Sequence, residues 1–127
     1  MIPWLKRPRD PRHLLGLRGE AAAVRHVRKA GFRILKRNYC AADAEIDIIA
    51  ERRGAVHFIE VKTRVVETHG TPEEAVTTQK VTRLRRAAHV YLNQFRSAPV
   101  STSFDVIAVV LEADHRLKDI RWTQSAF

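Results

Sequence analysis

Cysteine is almost absent from this chain of 127 residues, which contains only Cys40. A single cysteine cannot form a disulfide within the chain, which is typical of a protein in a reducing compartment. Cys40 has no CxxC motif or Cys/His pair around it, and the six histidines show no His-x-His or i, i+4 spacing. We therefore expect no zinc site and interpret the histidines as surface or partly buried residues.

Long hydrophobic runs are also missing from the sequence. No stretch approaches the roughly 18 apolar residues of a membrane-spanning helix, and residues 1–13 lack the apolar run of a signal peptide. The glycines form neither a phosphate-cradling loop nor a dinucleotide-binding signature. These absences lead us to expect a cytoplasmic protein with no membrane partner.

Acidic residues are strongly outnumbered by basic ones. The chain has 14 aspartates and glutamates against 23 lysines and arginines, which gives a formal net charge of +9. Such an excess favours a polyanionic partner, nucleic acid before an anionic membrane. A small basic protein can also be simply soluble and basic, so the charge by itself identifies no site.

Hydrophobic periodicity and turn residues predict a single α/β domain over residues 14–127, preceded by a basic, proline-rich arm over residues 1–13. The order α-β-β-β-α-β-β predicts a mixed sheet flanked by two helices. The predicted elements are a helix over 14–30, strands over 32–39, 45–51 and 55–63, a helix from 71 to about 93–95, and strands over 104–111 and 117–122.

Both predicted helices carry an apolar stripe that should face the sheet. Gly31 caps the first helix, and Thr71, Pro72 and Glu74 have the pattern of a capping box at the start of the second. Glu20 flanks the first stripe, so its carboxylate needs a partner. The stripes are Leu17, Ala21, Val24 and Val27 in the first helix, and Val81, Leu84, Ala88, Tyr91 and Phe95 in the second.

The most informative pattern is a pair of acids in the predicted hairpin. A turn at Arg53-Gly54 places Asp47 opposite Glu60, with Lys62 two residues further along the same face. Opposed residues have Cβ atoms roughly 4.5–5.5 Å apart, where like charges repel unless a cation lies between them. Strand acids beside a lysine also occur as surface salt bridges, but two acids in register favour a divalent-metal site.

Three carboxylates and one lysine are the group that we expect to carry chemistry. Glu20 would join Asp47 and Glu60 from the first helix, leaving about two uncompensated negative charges if all are ionised. Mg²⁺ takes oxygen ligands and would neutralise them, and the carbonyl of Val61 could add another oxygen. Lys62 can orient or deprotonate a water or offset developing charge, so the set suits phosphodiester hydrolysis.

Basic residues near this group are candidates for contact with the nucleic-acid backbone. We assign that role to Lys80, Arg83 and Arg86 of the second helix and to Arg64 of the hairpin, with Lys80 at the edge of the buried stripe. Asp105, near the start of a strand, would pair with an arginine or cap the edge of the site.

Short motifs extend this pattern along the chain from about Leu15 to Phe127. They are GLRGEAAA at 16–23, RNY at 37–39, AEIDIIA at 44–50, FIEVKTR at 58–64, Ala75-Val76 with Lys80, FDV at 104–106 and SAF at 125–127. Asp47 followed after twelve residues by Glu60-x-Lys62 resembles the PD-(D/E)xK nuclease core. With Glu20 upstream, the order is similar to archaeal Holliday-junction resolvases, and the motifs are more similar still to the uncharacterised bacterial YraN family.

The resemblance implies a restriction-endonuclease-like fold and the roles of individual residues. Asp47 and Glu60 would be metal ligands, Lys62 catalytic and Glu20 an accessory catalytic acid, with Mg²⁺ or Mn²⁺ as cofactor. The expected activity is a metal-dependent endonuclease on structured or branched DNA, with DNA favoured over RNA.

Two other functions stay open at this point. The chain could be a non-catalytic nucleic-acid-binding module that retains the nuclease fold, or a protein-interaction scaffold. Resolvase-like action on a two-fold-symmetric junction would favour a homodimer.

Overall fold

The computed structural model describes residues 11–66 and 77–127, which form two helices and five strands. Residues 1–10 of the predicted arm and the predicted capping box at 71–74 lie outside the described residues. The predicted α/β class and the order α-β-β-β-α-β-β are confirmed. The elements are α1 Pro11–Lys29, β1 Arg33–Ala41, β2 Ala44–Arg52, β3 Ala55–Val65, α2 Thr78–Leu92, β4 Ser101–Leu111 and β5 Leu117–Thr123.

The strands form one mixed sheet in the order β1-β2-β3-β4-β5. β3 and β4 are parallel neighbours, and the other three pairs are antiparallel. Parallel neighbours need a crossover connection, and α2 lies in the segment that joins β3 to β4. The sheet therefore has β3 at its centre, which is the strand that carries Glu60 and Lys62.

The two helices cover opposite faces of the sheet. On the α1 face, Ala23 and Val27 of α1 pack with Ile48 and Ile59 of the hairpin strands. On the α2 face, a second cluster joins α2 to Ile49 and Phe58, among other apolar residues. Alternate residues of β3 thus serve different helices, so Glu60, two residues after Phe58, points to the α2 face. Within the described residues, no helix is long and apolar enough to cross a membrane.

The predicted β2–β3 hairpin is confirmed in its turn and its register. Arg53 and Gly54 both have positive φ, 51° and 82°, as a type I′ turn requires. The turn pairs Arg52 with Ala55, and the ladder continues inward from there. This register directs Asp47 and Glu60 toward the same end of the hairpin.

The buried face of α1 differs from the predicted stripe, because Leu17 is 49% exposed. The helix approaches β3 at Gly19, where an added Cβ would overlap the side chain of Thr63. Only a residue without a side chain fits this approach, so the helix turns its small residues inward and Leu17 outward. The buried α1 residues are Ala22, Ala23, Val24 and Val27.

The ends of α2 also differ from the prediction. Thr77 has an extended backbone and is the N-cap, and its side chain accepts a hydrogen bond from the backbone N–H of Lys80. A continuous helix from Thr71 is therefore wrong, since the capping interaction starts the helix at Thr78. At the other end α2 stops at Leu92, which leaves Phe95 outside the helix and 54% exposed.

Candidate active site

Asp47 occupies the point where β2 and β3 separate. The paired register of the two strands ends at Ile48 opposite Ile59. One residue further, Oδ2 of Asp47 accepts a hydrogen bond from the backbone N–H of Val61 at 2.7 Å. In a continued antiparallel ladder that N–H would bond to a main-chain carbonyl of β2. The carboxylate therefore replaces the main chain as the acceptor and is held at the opening between the strands.

The surroundings of Asp47 disfavour its ionised form. Burial is the largest cause and the negative charge of Glu60 the second, and together they raise the pKa of Asp47 to about 7. The hydrogen bond from Val61 acts in the opposite direction, while Glu20 and Glu45 raise the pKa further. A cation at this position would reverse the balance, because it would stabilise the carboxylate that burial and neighbouring acids destabilise.

Glu60 is the most buried acid of the candidate site, with 8% of its surface exposed. Its Oε1 atom lies 2.7 Å from the ammonium of Lys80 and 3.9 Å from that of Lys62. Its Oε2 atom is buried and accepts no hydrogen bond from any residue that the structure describes. A buried acceptor without a partner is costly, so Oε2 is available to a ligand.

Lys80 contacts the carboxylate of Glu60 directly, which the assignment to the nucleic-acid surface did not anticipate. Burial would lower the pKa of Lys80, but the hydrogen bond and charge of Glu60, with smaller effects of Lys62 and Asp47, together outweigh burial and raise it. The ammonium therefore stays charged beside Glu60. The sequence signal was the position of Lys80 at the edge of the buried stripe, four residues before Leu84.

Two clefts meet at Asp47. The first, the α2-side cleft, has a volume of about 550 Å³ and contains Asp47, Glu60 and Lys80. The second, the α1-side cleft, has a volume of about 660 Å³ and contains Asp47 and Glu20. Glu45 also lines both clefts. Glu20 and Glu60 therefore line different clefts, and the three predicted acids come together around Asp47 from two sides.

Glu20 was expected to need a hydrogen-bond partner, and the structure gives it Asn38. The Nδ2 atom of Asn38 donates to Oε2 of Glu20 and to Oε1 of Glu45, both at 3.2 Å. Arg37 lies 3.6 Å from Oε1 of Glu20, which accepts no hydrogen bond within the described part of the chain. Asn38 has a φ of 51°, a left-handed conformation that asparagine tolerates better than most residues. Asn38 was visible only as part of the RNY motif, with no role attached.

The described residues include no group of three or more His, Cys, Asp or Glu side chains arranged to hold a metal ion. A metal ion at the predicted site would therefore not be enclosed by ligands from these residues alone. Mg²⁺ commonly binds through one or two carboxylates and keeps several waters. Asp47 and Glu60 fit that minimum, because one is destabilised as an anion and the other has a buried oxygen without a partner.

The three predicted arginine contacts differ in their surroundings. Arg83 is exposed and lines the α2-side cleft, one turn along α2 from Lys80. Arg86 is exposed on α2 outside the residues that line this cleft. Arg64 is half-buried on β3, and its Nε atom has no hydrogen-bond partner among the described residues. Arg83 is therefore the arginine of this set placed to meet a ligand in the α2-side cleft.

Asp105 belongs to a separate, buried network. It is fully buried, and its Oδ2 atom lies 2.6 Å from Nδ1 of His57 and accepts from Nε1 of Trp122 at 2.8 Å. Its Oδ1 atom accepts from Ser103 and from the backbone N–H of Ser125. The expected pairing with an arginine is wrong, and Asp105 instead links β3, β4, β5 and the end of the chain. Neither His57 nor Asp105 was predicted to be a core residue.

Comparison with known proteins places these residues within a matched region. The model of the uncharacterised protein family UPF0102 matches residues 19–109, which include Glu20, Asp47, Glu60, Lys62 and Lys80. A UPF0102 protein from Pelotomaculum thermopropionicum is 38% identical over 118 residues, 93% of this chain and 98% of the relative. One from Moorella thermoacetica is 44% identical over 109 residues, 86% of this chain and 91% of the relative. One from Syntrophomonas wolfei is 41% identical over 98 residues, 77% and 85% of the two chains.

Proposed function

This chain belongs to the protein family UPF0102, which is the YraN family that its motifs resemble, and we propose that it is a divalent-metal-dependent endonuclease acting on structured or branched DNA. One observation carries the proposal. Two interacting carboxylates, Asp47 and Glu60, lie at the opening between β2 and β3, with two lysine ammonium groups beside them. Two acids this close, one of them with a buried oxygen that accepts no hydrogen bond from the described residues, are typical of a ligand-binding site.

Asp47 and Glu60 would hold the metal, with water completing its shell. The bound cation supplies polarisation of a phosphoryl oxygen and a lowered pKa for water. The hydrogen bond from Val61 fixes the orientation of Asp47, so this carboxylate would lose little rotamer freedom on binding a metal. Because Glu20 lines the α1-side cleft and accepts a hydrogen bond from Asn38 there, we assign it a positioning role in place of the predicted direct catalytic one.

Lys62 is the residue that we assign to the reacting phosphate. Its ammonium lies 3.9 Å from Oε1 of Glu60 and is about a quarter exposed, so it sits at the border between the buried acids and solvent. A phosphate there would meet a fixed positive charge that offsets the charge developed during hydrolysis. In this charged form Lys62 would also orient the attacking water, whereas only a neutral Lys62 could accept its proton.

The charge distribution supports a nucleic-acid substrate for this chemistry. The chain has a net charge of +9, and Arg83 and Arg86 are exposed on the helix that borders the α2-side cleft. Phosphate contacts from such residues give sequence-independent affinity that falls steeply with salt. We therefore assign the path of the DNA backbone to the outer side of α2.

A non-catalytic nucleic-acid-binding module is the second candidate function. Glu60 already pairs with Lys80 at 2.7 Å, and no three-ligand metal group occurs in the described ranges. A site in which lysines neutralise the acids permanently would bind DNA through the same basic surface without cutting it. This function predicts DNA affinity that depends on salt but not on Asp47 or Glu60.

The test is cleavage by purified protein in Mg²⁺ or Mn²⁺ on linear, nicked, flapped and four-way DNA. Wild type should cut at least one substrate, and Asp47→Asn, Glu60→Gln and Lys62→Met should each lose about 10²-fold or more in rate, as when a transition-state contact is removed. Glu51→Gln is the matched control, because Glu51 is a β2 acid that pairs with the exposed Arg33 near the far end of the hairpin.

The outcomes separate the two functions. Equal rates for wild type and the three site variants on every substrate would reject the nuclease. Salt-sensitive DNA binding that all the variants retain, without cleavage by wild type, would then favour the binding module. Loss of cleavage in the Glu51→Gln control would instead show that removing any carboxylate from β2 impairs cleavage, so the effect of Asp47→Asn would not be specific to the site.

A further inference from the structure

We propose that Lys80 is an internal cation that a divalent metal displaces from Glu60, and that the released ammonium then binds a phosphate of the substrate. The inference rests on the proposed function, because it assumes that Asp47 and Glu60 take a metal. It adds a residue that couples metal binding to substrate binding. Lys80 thereby becomes part of the candidate active site in addition to the basic surface.

The contact distances show which ammonium neutralises Glu60. Lys80 approaches Oε1 of Glu60 to 2.7 Å, while Lys62 is 3.9 Å from the same atom. Only the first distance is that of a charge-assisted hydrogen bond. Lys80 is therefore the ammonium that neutralises Glu60 by direct contact. Lys62, two residues from Glu60 on the same strand, lies further from its Oε1 atom.

The exposure of the two partners shows which one can move. The side chain of Glu60 is 9% exposed and belongs to the central strand, whereas that of Lys80 is 40% exposed and reaches inward from α2. A lysine has four rotatable bonds and a strongly hydrated ammonium, so it can leave for solvent at little cost.

The position of Lys80 on its helix gives an independent reason for release. Lys80 is the third residue of α2, close to the positive end of the helix dipole. A cation is disfavoured there, and the first turn of α2 contains no acid to compensate it. Glu60 supplies the closest contact that holds the ammonium inward, and a competing cation on Glu60 would weaken that attraction and repel Lys80.

The cleft offers both an approach for the metal and a destination for the lysine. Oε2 of Glu60 is buried and has no hydrogen-bond partner in the described parts of the chain, so a cation can begin to bind there. Lys80 and Arg83 line the same α2-side cleft three residues apart, a spacing that puts both on one side of the helix. A released Lys80 would lie beside Arg83, where the two cations suit a phosphate.

The first test measures metal affinity without DNA, by calorimetric titration of Mn²⁺ into metal-free protein. Lys80→Met should tighten binding by about tenfold, because directly contacting charged groups couple by this order. Lys80→Arg keeps a cation on Glu60 and should stay within about twofold of wild type, well below that coupling. Lys118→Met removes the same charge from exposed β5 and is the matched control. Unchanged or weaker affinity in Lys80→Met would overturn the inference.

The second test measures binding of a labelled four-way DNA in EDTA and in Ca²⁺, which takes the oxygen ligands that Mg²⁺ takes. Lys80→Met should weaken binding in Ca²⁺ by about fivefold, as for one lost phosphate contact, and leave it unchanged in EDTA. Arg83→Met, whose charge needs no release, should weaken it equally in both. Equal loss in both conditions for Lys80→Met would make Lys80 an ordinary surface cation.

These results are distinguishable from failure of the proposed function. If wild type binds no Mn²⁺, or if Asp47→Asn and Glu60→Gln bind it as wild type does, the metal site itself is absent. If those variants lose metal but Lys80→Met behaves like Lys118→Met, the metal site stays and the role of Lys80 is rejected. Lys80→Gln covers the case in which Lys80→Met fails to fold, because it removes the charge but keeps an amide donor near the buried Glu60, and it should tighten Mn²⁺ binding as Lys80→Met does.

Discussion

Oδ2 of Asp47 accepts the hydrogen bond of the Val61 backbone N–H at 2.7 Å, one residue beyond the last paired residues of β2 and β3. A side chain thus ends the main-chain ladder. The same contact holds the carboxylate of Asp47 in a buried position near Glu60. Burial and the charge of Glu60 raise the pKa of Asp47 to about 7, against the effect of the hydrogen bond itself. Local strand geometry and the electrostatics of the site therefore have a common origin in Asp47.

The raised pKa of Asp47 predicts a distinctive dependence of stability on pH. A carboxyl whose pKa rises from 3.8 when unfolded to about 7 when folded binds more protons in the folded state between those values. The free energy of unfolding of metal-free protein should therefore fall as the pH rises from 4 to 7, by up to about 4 kcal/mol from this group.

Denaturant unfolding at a series of pH values in EDTA measures this effect. Asp47→Asn, which keeps an oxygen for Val61, should lose this component of the slope and become more stable than wild type near pH 7. Asp119→Asn on exposed β5 should follow wild type throughout. Parallel curves for wild type and Asp47→Asn would show that the pKa of Asp47 is the same in the folded and the unfolded protein.

The close approach of α1 to β3 predicts opposite effects of the same substitution at two glycines. Gly19→Ala should lower the free energy of unfolding by about 1–3 kcal/mol, because the new methyl group overlaps Thr63. Gly16→Ala meets nothing within 4 Å and should raise stability by up to about 1 kcal/mol through helix propensity. Thermal and denaturant unfolding test both, and equal effects at the two positions would contradict the packing of α1 at Gly19.

The network around Asp105 predicts a stability effect without an effect on the site. Asp105→Asn replaces a buried carboxyl that accepts hydrogen bonds from Ser103, Trp122 and Ser125 and lies 2.6 Å from Nδ1 of His57. We expect a loss of about 3 kcal/mol or more in the free energy of unfolding. Asp119→Asn, which breaks an exposed ion pair, should change it by less than about 1 kcal/mol. A matching loss of metal affinity in folded Asp105→Asn would place Asp105 in the site after all.

The proposed DNA path along α2 predicts how affinity for DNA should depend on salt. Each phosphate contact contributes about 0.9 to the slope of log affinity against log salt for duplex DNA. Arg83→Ala and Arg86→Ala should each reduce the slope by about one. Arg121→Ala, whose guanidinium already pairs with Asp119 at 3.2 Å, should leave it unchanged. If the slopes of all three variants equal that of wild type, the DNA backbone does not follow α2.

The fold and the hairpin could be predicted because their signals are local. A two-residue turn containing Gly54 fixes the register of the strands around it, and this register brings Asp47 and Glu60 together. Hydrophobic period and turn spacing similarly indicated the order of the elements. The fold of this chain is therefore consistent with its short-range pattern.

The division of the acids between two clefts could not be predicted in the same way. It depends on the rotation of α1, which follows from the contact of Gly19 with Thr63 and turns Leu17 to the surface. It also depends on where β2 and β3 separate, since Asp47 competes with a main-chain carbonyl for the N–H of Val61. Both are contacts between residues far apart in the sequence.

The direction of Lys80 was equally out of reach. A long side chain at the edge of a buried stripe can extend to solvent or fold inward, and the choice here is set by Glu60 on another element. The burial of Asp105 has a similar cause, because its four hydrogen-bond partners come from separate strands and from the end of the chain. Neither feature leaves a short-range pattern.

The central claim is that Asp47 and Glu60 together hold a divalent cation. Calorimetric titration of Mn²⁺ just below pH 7, in buffers of different ionisation enthalpy, tests it most directly. We expect wild type to bind with release of part of a proton, since binding requires Asp47 in its ionised form. Asp47→Asn and Glu60→Gln should each weaken binding by at least about tenfold, as loss of a ligand requires. Equal affinity in wild type and both variants, or no proton release, would contradict the account.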